Sequence, residues 1–275
     1  MAEAVKLGVI AGGGPLPRGV VERCQASGRP VFVVAIEGYT EPATCVGVPH
    51  VWLKLGAVGA LLKALKAERC VDVVMIGPIA RPSLSALKLD LRGIGLLAKI
   101  GKAAAQGDNA LLAIVVGELE REGFNVVGAD DLLDDATTPK GVLGKIAPDE
   151  IARRDIDIGC RAARQLGIAD IGQAVIVQQG VVLGVEAIEG TDALIERCGR
   201  LRRDGPGGVL VKMKKPGQEA RADLPTIGRR TIEGLAAAGL RGVALEAGGS
   251  LIVDRAGVID EADRRGVFVI GVVPP

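Results

Sequence analysis

Short apolar runs in the first half of the chain alternate with stretches whose apolar residues recur every three or four positions. The runs are VKLGVI, PVFVVAI and DVVMIG, and the stretches between them are RGVVERCQASG and GAVGALLKALKAERC. A short β-branched run is typical of a buried strand, whereas the longer period is that of a helix. This alternation predicts a parallel sheet covered by helices. We therefore expect a Rossmann-like α/β domain over residues 1–135.

The alternation resumes in the second half after a segment without a sustained period. Residues 136–147 mix Thr, Pro, Gly and charged residues, which is typical of a linker. A helix beginning at Pro148 is followed by the strands QAVIVQQ and VVLGVEAI, and further helices and strands continue to the end. We predict a second, smaller domain of mixed α/β type over residues 148–275.

Charge and composition exclude several kinds of partner. Lys and Arg (34) nearly cancel Asp and Glu (33), and aromatic residues are 2% of the chain, so we expect no nucleic-acid binding. No apolar run approaches the roughly 18 residues of a spanning helix, and the N-terminus lacks the features of a signal peptide, so we expect a soluble, cytoplasmic protein. The five cysteines contain no CxxC pair and are expected to be buried thiols.

A glycine-rich loop follows the first predicted strand. Its candidate binding residues are Gly12, Gly13, Gly14, Pro15 and Leu16. Between a strand and a helix, backbone N–H groups and the helix dipole favour a phosphate, so the loop is a candidate for holding a nucleotide. Pro17 stands where a dinucleotide fingerprint has its third glycine, and no Walker Gly-Lys-Ser/Thr follows. A plain tight turn is the alternative interpretation.

Two other junctions carry candidate substrate-binding residues. Gly77 and Pro78 follow the third strand, where ligands of open α/β sheets gather, although the pair is equally typical of a corner. In the second half, Glu189, Thr191 and Asp192 lie between a strand and a helix. Such a junction can bind an anion through N–H groups or a cation through its acids. Ordinary capping of the helix by Thr191 is the alternative.

The densest set of chemical groups lies in KMKKPGQEARADLPTIGRRT, residues 212–231. Its candidate side chains are Lys212, Lys214, Gln218, Arg221, Asp223 and Thr226. The two-residue period of a strand puts Lys212 and Lys214 on one face, so we expect their ammonium groups to converge at the strand end. Thr226 is expected to cap the helix that begins at Ile227.

Cations, a carboxylate and a helix N-terminus together suit the cleavage of a diphosphate. Positive groups offset phosphate charge, N–H donors stabilise transition-state oxygens, and a carboxylate binds a divalent metal or deprotonates water. Asp223 is the first candidate for that carboxylate, and Asp192 and Asp108 are further candidate metal ligands. A solvated basic hairpin is the alternative. The single histidine, His50, disfavours hydrolases with several imidazole ligands or a Ser-His-acid triad.

In these motifs the chain resembles the UDP-2,3-diacylglucosamine pyrophosphatases of lipid A biosynthesis that are unrelated to the calcineurin-like metallophosphoesterases. The resemblance covers the whole chain. It depends on LGVIAGGGPLP, GDNALL, VEAIEGTD and residues 212–231, and the last two motifs are the more specific.

The resemblance implies a cytosolic enzyme, peripheral to the inner membrane, that uses Mg²⁺ and water to split UDP-2,3-diacylglucosamine into UMP and 2,3-diacylglucosamine 1-phosphate (lipid X). It implies two α/β domains with the active site between them, the catalytic residues in the second domain, and Asp223 as the essential aspartate. We expect phosphate contacts from Lys212, Lys214 and Arg221, with a hydroxyl contact from Thr191 or Thr226.

The residues alone leave two other classes of function open. The glycine loop and Glu37, which ends the second strand, fit an NAD(P)-dependent sugar-nucleotide oxidoreductase. The cleft expected between the domains also fits a non-catalytic carrier of a lipid or nucleotide. The oligomeric state, with a homodimer as one possibility, is open, as is the role of Glu219 beyond its charge.

Overall fold

The residues that the structure describes form two compact units, one up to Asp134 and one from Asp135 onward. The computed structural model describes residues 5–79, 90, 92–96, 108–216 and 224–274, except for the side chains of 108–111 and 134. Each unit contains its own sheet with helices, so the α/β class and the two-domain organisation predicted from the sequence are confirmed.

The first unit contains a five-stranded parallel sheet. Its elements are β1 (Leu7–Ala11), α1 (Leu16–Ser27), β2 (Val31–Ile36), β3 (His50–Leu53), α2 (Val58–Ala67), β4 (Asp72–Ile76), α3 (Asp108–Arg121), β5 (Asn125–Val126) and α4 (Ala129–Leu132). The strand order is β3-β2-β1-β4-β5, and every pair is parallel. All residues of β1 and β2 are buried, which explains their continuous apolar runs.

The strand order of the first sheet reverses next to the glycine loop. From β1 the chain builds β2 and β3 on one side, and then returns to place β4 on the other side of β1. Ligands of open α/β sheets bind outside the carboxyl ends of the strands at such a switch point. The loops that follow β1 and β4 lie at this position, so topology supports the predicted nucleotide site.

The second unit contains a six-stranded mixed sheet. Its elements are β6 (Gly141–Leu143), α5 (Glu150–Ile168), β7 (Ala174–Gln178), β8 (Val181–Val185), α6 (Gly190–Gly199), β9 (Val209–Lys212), β10 (Thr226–Ile227), α7 (Arg229–Ala237), β11 (Gly242–Glu246), β12 (Leu251–Ile252), α8 (Arg255–Arg265) and β13 (Phe268–Val272). The order is β6-β13-β11-β9-β7-β8, in which β9, β11 and β13 are parallel. A separate parallel pair joins β10 to β12.

Residues 136–147, expected to be a linker, contain β6. This strand pairs antiparallel with β13, with Leu143 opposite Val269, and forms an edge of the second sheet. The run Gly141–Leu143 is three residues long, so it is too short to show a two-residue period.

Helix α5 packs tightly on the second sheet. Asp149 accepts a hydrogen bond from the N–H of Ala152 at 2.8 Å and so caps the helix. At Gly159 a Cβ would overlap the side chain of Val211, which shows how closely helix and strand approach. The buried apolar face of this layer comprises Ala152, Ile156, Cys160, Ala163, Val175, Val177, Val209 and Val211.

The expectation of buried thiols is confirmed. All five cysteines are free and buried. Burial raises the pKa of the Cys70 and Cys160 thiols to about 11, so at neutral pH they are protonated. In the described part of the chain, no helix is both long enough and apolar enough to cross a membrane.

Candidate active site

The loops after β1 and β4 are held together by their backbones. The N–H of Gly12 donates to Ile76 O (2.8 Å), and that of Gly13 donates to Pro78 O (2.9 Å). A Cβ on Gly12 would overlap the carbonyl oxygen of Gly77, and one on Gly77 would overlap that of Gly13. Glycine is therefore required at both positions by the close approach of two backbones.

This arrangement limits which groups of the loop can bind a phosphate. The N–H groups of Gly12 and Gly13 already have carbonyl acceptors, while Pro15, the N-cap of α1, and Pro17 have no N–H. Gly14 has φ +73°, in the left-handed region. The donors that the loop offers near the start of α1 are the N–H groups of Gly14 and Leu16. Nucleotide binding by this loop stays a prediction, now centred on these two groups.

A buried threonine that sequence reasoning missed, Thr40, connects the carboxyl ends of two strands of the first sheet. The Thr40 hydroxyl accepts from the N–H of Ile36 (2.8 Å) and donates to Ala11 O (2.5 Å), so it ties the end of β2 to the end of β1. A threonine four residues after a strand carries no distinctive sequence signal.

Lys212 lies at the carboxyl end of β9 and is 6% exposed. Its Nζ donates to the carbonyl oxygen of Thr226 at 3.0 Å. Strand β9 ends at Lys212, so the alternation expected to align Lys214 with it does not continue that far. The strand therefore does not carry Lys214, and the convergence of the two ammonium groups stays a prediction.

The next strand brings an acid to the same edge. Glu246 is the last residue of β11, whose Leu245 is paired with Lys212. Its Oε2 accepts the N–H of Lys214 at 3.0 Å. Ser250, fully buried, donates its hydroxyl to Glu246 O (2.7 Å) and lies 2.8 Å from the Thr138 hydroxyl. Sequence reasoning missed Glu246, whose signal is an acid that ends an apolar run before Ala-Gly-Gly-Ser.

A buried acid, Glu186, lies beside the N-terminus of β7. Glu186 is 6% exposed, and its Oε2 accepts the N–H of Gln173 at 3.1 Å. Its Oε1 accepts the hydroxyl of Thr191 at 2.5 Å. Helix capping by Thr191 is not what the structure has, because the N-cap of α6 is Glu189 and the Thr191 hydroxyl is bonded to Glu186.

Glu189 and Asp192 are engaged in ion pairs near the surface. Hydrogen bonds from its own backbone N–H and from Arg197 hold the pKa of Glu189 below its usual range. Asp192 lies 3.0 Å from Arg230, and both side chains are exposed. Among the described residues, no group of three or more His, Cys, Asp and Glu side chains could hold a metal ion.

Helix α7 begins later than expected. Its N-cap is Gly228, whose N–H donates to the Thr231 hydroxyl at 3.4 Å. Thr226 belongs to β10, and its hydroxyl donates to Leu224 O at 2.9 Å. The prediction that Thr226 caps this helix is therefore wrong, because pairing of β10 with β12 extends the backbone through Ile227.

Several predicted site residues lie outside the described residues: Gln218, Glu219, Arg221 and Asp223. The same holds for the side chain of Asp108, which is the first residue of α3. The bond from Lys212 to Thr226 nevertheless joins the two described segments on either side of residues 217–223.

Comparison with known proteins decides the family. The chain matches the model of the LpxI N-terminal domain over residues 6–136 and that of the LpxI C-terminal domain over 139–270. The chain belongs to the LpxI family. It is 44% identical over 275 residues to UDP-2,3-diacylglucosamine pyrophosphatase LpxI of Caulobacter vibrioides, with 98% of each chain covered. For this LpxI family member the resemblance inferred from the motifs is confirmed, and a pyrophosphate hydrolase is favoured over the oxidoreductase and carrier alternatives.

Two solved structures are distantly similar to this LpxI family member. N5-carboxyaminoimidazole synthase of Aspergillus clavatus, in complex with ADP and 5-aminoimidazole ribonucleotide, is 17% identical with a TM-score of 0.27 over 74% of this chain. The carboxyaminoimidazole ribonucleotide synthase of the same organism, complexed with ATP, is 17% identical with a TM-score of 0.24 over 73% of this chain. The chain spans 45% of the length of each, and similarity this low supports no conclusion.

Proposed function

We propose that this LpxI family member hydrolyses the pyrophosphate bond of UDP-2,3-diacylglucosamine, as a step of lipid A biosynthesis. The observation that carries the proposal is the 44% identity, over the full chain, to the Caulobacter enzyme of that name. Water adds its oxygen to one phosphorus, the P–O–P bridge breaks, and the products are UMP and 2,3-diacylglucosamine 1-phosphate.

The second unit is proposed to carry the chemistry. Asp223 would activate the attacking water or bind the metal, and Lys214 and Arg221 would offset charge on the phosphates. Lys212 is buried and donates to Thr226 O, which favours a role in holding the chain beside Asp223 over a phosphate contact. The N–H groups of Gly14 and Leu16 would hold the nucleotide end.

Mg²⁺ is part of the proposal. Asp192 already pairs with Arg230 and belongs to no group of three or more possible metal ligands among the described residues, so it does not fit as a ligand. Asp223, with Asp108 as a second candidate, is the carboxylate that we propose as the ligand. Bound there, Mg²⁺ would offset the charge of the diphosphate.

We also propose that the reaction takes place in the cytoplasm, in peripheral contact with the inner membrane. The reason is chemical, because two acyl chains retain the substrate and lipid X in a bilayer. Release of active enzyme from membranes by salt alone would support peripheral contact. A homodimer stays a prediction, which light scattering of the purified protein tests.

Hydrolysis in ¹⁸O-labelled water tests the reaction directly. Purified protein is incubated with UDP-2,3-diacylglucosamine in the presence of Mg²⁺ and, separately, with EDTA in place of Mg²⁺. The masses of the products are measured by mass spectrometry. We expect UMP and lipid X, with one ¹⁸O atom in one of them, and loss of turnover in EDTA that added Mg²⁺ restores. Absence of both products would refute the hydrolase. Turnover that persists in EDTA would refute the metal requirement alone.

A further inference from the structure

Three isoleucines at one end of the second unit are exposed to solvent. Ile188 is 95% exposed, Ile168 61% and Ile171 53%, and we call these residues the isoleucine tip. Exposed apolar groups that lie together mark surfaces that bind membranes or partners. We propose that the isoleucine tip inserts into a bilayer, while arginines of α5 bind the phosphates of its anionic lipids. This inference rests on the proposed function, since it takes the substrate to be a lipid of that bilayer.

The packing of two loops brings the isoleucines to the same end of the unit. Ile168 is the last residue of α5, and Ile171 lies in the loop that leads from α5 into β7. A Cβ on Gly172 would overlap the carbonyl oxygen of Glu186. The loop before β7 therefore lies directly against the loop after β8, which carries Ile188.

This end of the unit is also the carboxyl edge of the second sheet. Ala174, the first residue of β7, is paired with Lys212, the last residue of β9. A Cβ on Gly167 would overlap Cδ of Pro216, so the end of α5 packs against the chain that leaves β9. That chain carries Lys214, which we propose to bind a substrate phosphate. A bilayer at the isoleucine tip would therefore hold its lipids near the edge where we propose the chemistry.

Helix α5 adds positive charge to this surface. Arg154, Arg161 and Ile168 are exposed and follow one another at intervals of seven residues, which is close to two helical turns. They therefore form one stripe along the solvent face of the helix. The exposed charged residues of α5 are mainly cationic: Arg153, Arg154, Arg161 and Arg164, with Glu150 and Asp157 as the acids. Arginines beside exposed aliphatic residues suit the surface of an anionic bilayer.

Acids next to the isoleucine tip are paired with cations. Glu189 lies 2.8 Å from Arg197, and Asp170 lies 2.7 Å from Lys215. These two carboxylates are therefore offset locally and do not cancel the charge of the α5 arginines.

A bilayer fits the isoleucine tip better than a protein partner does. Ile188 contacts almost none of the fold, so its side chain projects from the surface. A fluid hydrocarbon layer accepts a projecting aliphatic side chain without a matching pocket, whereas a protein interface requires close shape complementarity.

Sedimentation of the full-length protein with lipid vesicles tests the proposal in the absence of substrate. The vesicles contain phosphatidylcholine alone or phosphatidylcholine mixed with anionic phosphatidylglycerol. We expect binding to the mixed vesicles that weakens as salt is added, and at least about fivefold weaker binding to phosphatidylcholine alone. Ile188→Ser should weaken binding to the mixed vesicles about 10-fold, because it removes an inserted aliphatic side chain. Arg161→Gln should weaken it about fivefold.

Two matched controls lie at the far end of α6. This helix packs on the face of the sheet opposite to α5. Leu201→Ser removes an exposed aliphatic side chain there, and Arg200→Gln removes an exposed cation. Both variants should bind the mixed vesicles as the parent does.

Vesicle binding by Ile188→Ser equal to that of the parent would overturn the inference, as would equal binding to both kinds of vesicle. Light scattering without lipid tests a second copy of the chain as the occupant. A dimer that Ile188→Ser dissociates would also overturn the inference. These measurements do not use hydrolysis, so the two proposals can fail separately. Binding through the isoleucine tip by a protein that does not cleave UDP-2,3-diacylglucosamine would refute the proposed function and leave the membrane surface standing.

Discussion

The carboxyl edges of the two sheets are built from different chemical groups. At the first edge, the loops after β1 and β4 meet through glycine backbones, and the polar groups they offer are main-chain N–H groups. At the second edge, the side chains of Lys212 in β9 and Glu246 in β11 form hydrogen bonds with backbone groups of nearby segments. The first edge therefore depends on the close approach of two backbone segments, whereas the second depends on long charged side chains.

This difference suggests a division of work between the units. A rigid backbone loop binds a phosphate without reorganising, which suits recognition of a nucleotide end. Charged side chains that bind the backbone next to a reacting group suit a site where small displacements change the rate. We expect substitutions at the second edge to act mainly on turnover and those at the first edge on packing and binding.

The largest expected effect is at Asp223. Asp223→Ala should lower kcat by at least about 10³-fold while binding of UDP-2,3-diacylglucosamine stays nearly unchanged, because the group acts in the transition state. Rapid-quench assays give kcat, and calorimetry gives Kd. The control is Asp157→Ala, an exposed position of α5, which should behave as the parent. Near-normal turnover of Asp223→Ala would remove the catalytic assignment.

At the first edge, Gly12→Ala should lower the free energy of unfolding by about 1–3 kcal/mol, because the new Cβ overlaps Gly77 O and forces the two loops apart. Urea denaturation measures this change. Gly19→Ala is the matched control, since it lies in α1 with nothing within 4 Å of the added Cβ. It should raise stability by about 0.5–1 kcal/mol. Equal stability of the two variants would show that the loops do not require close approach.

Ser250→Ala tests whether the second edge depends on its buried hydroxyl network. We expect a loss of about 1–3 kcal/mol in the free energy of unfolding, because Thr138 and Glu246 O each lose a buried hydrogen-bond partner. A variant as stable as the parent would mean that this hydroxyl network does not stabilise the second edge.

The smallest effect should come from an acid of the second unit that lies away from this edge. Asp149→Ala should cost about 1 kcal/mol of stability as a lost helix cap, without changing kcat. The N–H of Ala152 and then Arg241 lower the pKa of Asp149, so its stabilisation is present above the ordinary Asp pKa and is lost as the pH falls through the lower folded-state value. Unfolding measured from pH 7 down to pH 3 should show the difference shrink. A change in kcat would contradict the expectation that, in the second unit, charged residues affect turnover only at the carboxyl edge of the sheet.

Local patterns predicted most of the strands and helices but less of the candidate site. The buried strands β1, β2 and β7 are recognisable in the sequence as apolar runs, because both of their faces are covered. The end of β9 at Lys212 is not recognisable in the sequence, because it depends on pairing with neighbouring strands. Glu246 was missed for a similar reason, because its partner Lys214 is 32 residues away in the sequence. Helix capping by Thr226 failed because pairing with β12 determines the local backbone.

The buried thiols allow the local unfolding of each unit to be measured separately. Cys24, Cys45 and Cys70 lie in the first unit, and Cys160 and Cys198 lie in the second. An alkylating reagent reaches a thiol inside a folded core only when the surrounding structure opens, so its labelling rate measures the population of that opening. Mass spectrometry of the labelled peptides therefore follows the two units separately in one wild-type sample, without added probes, and shows whether nucleotide protects one unit more than the other.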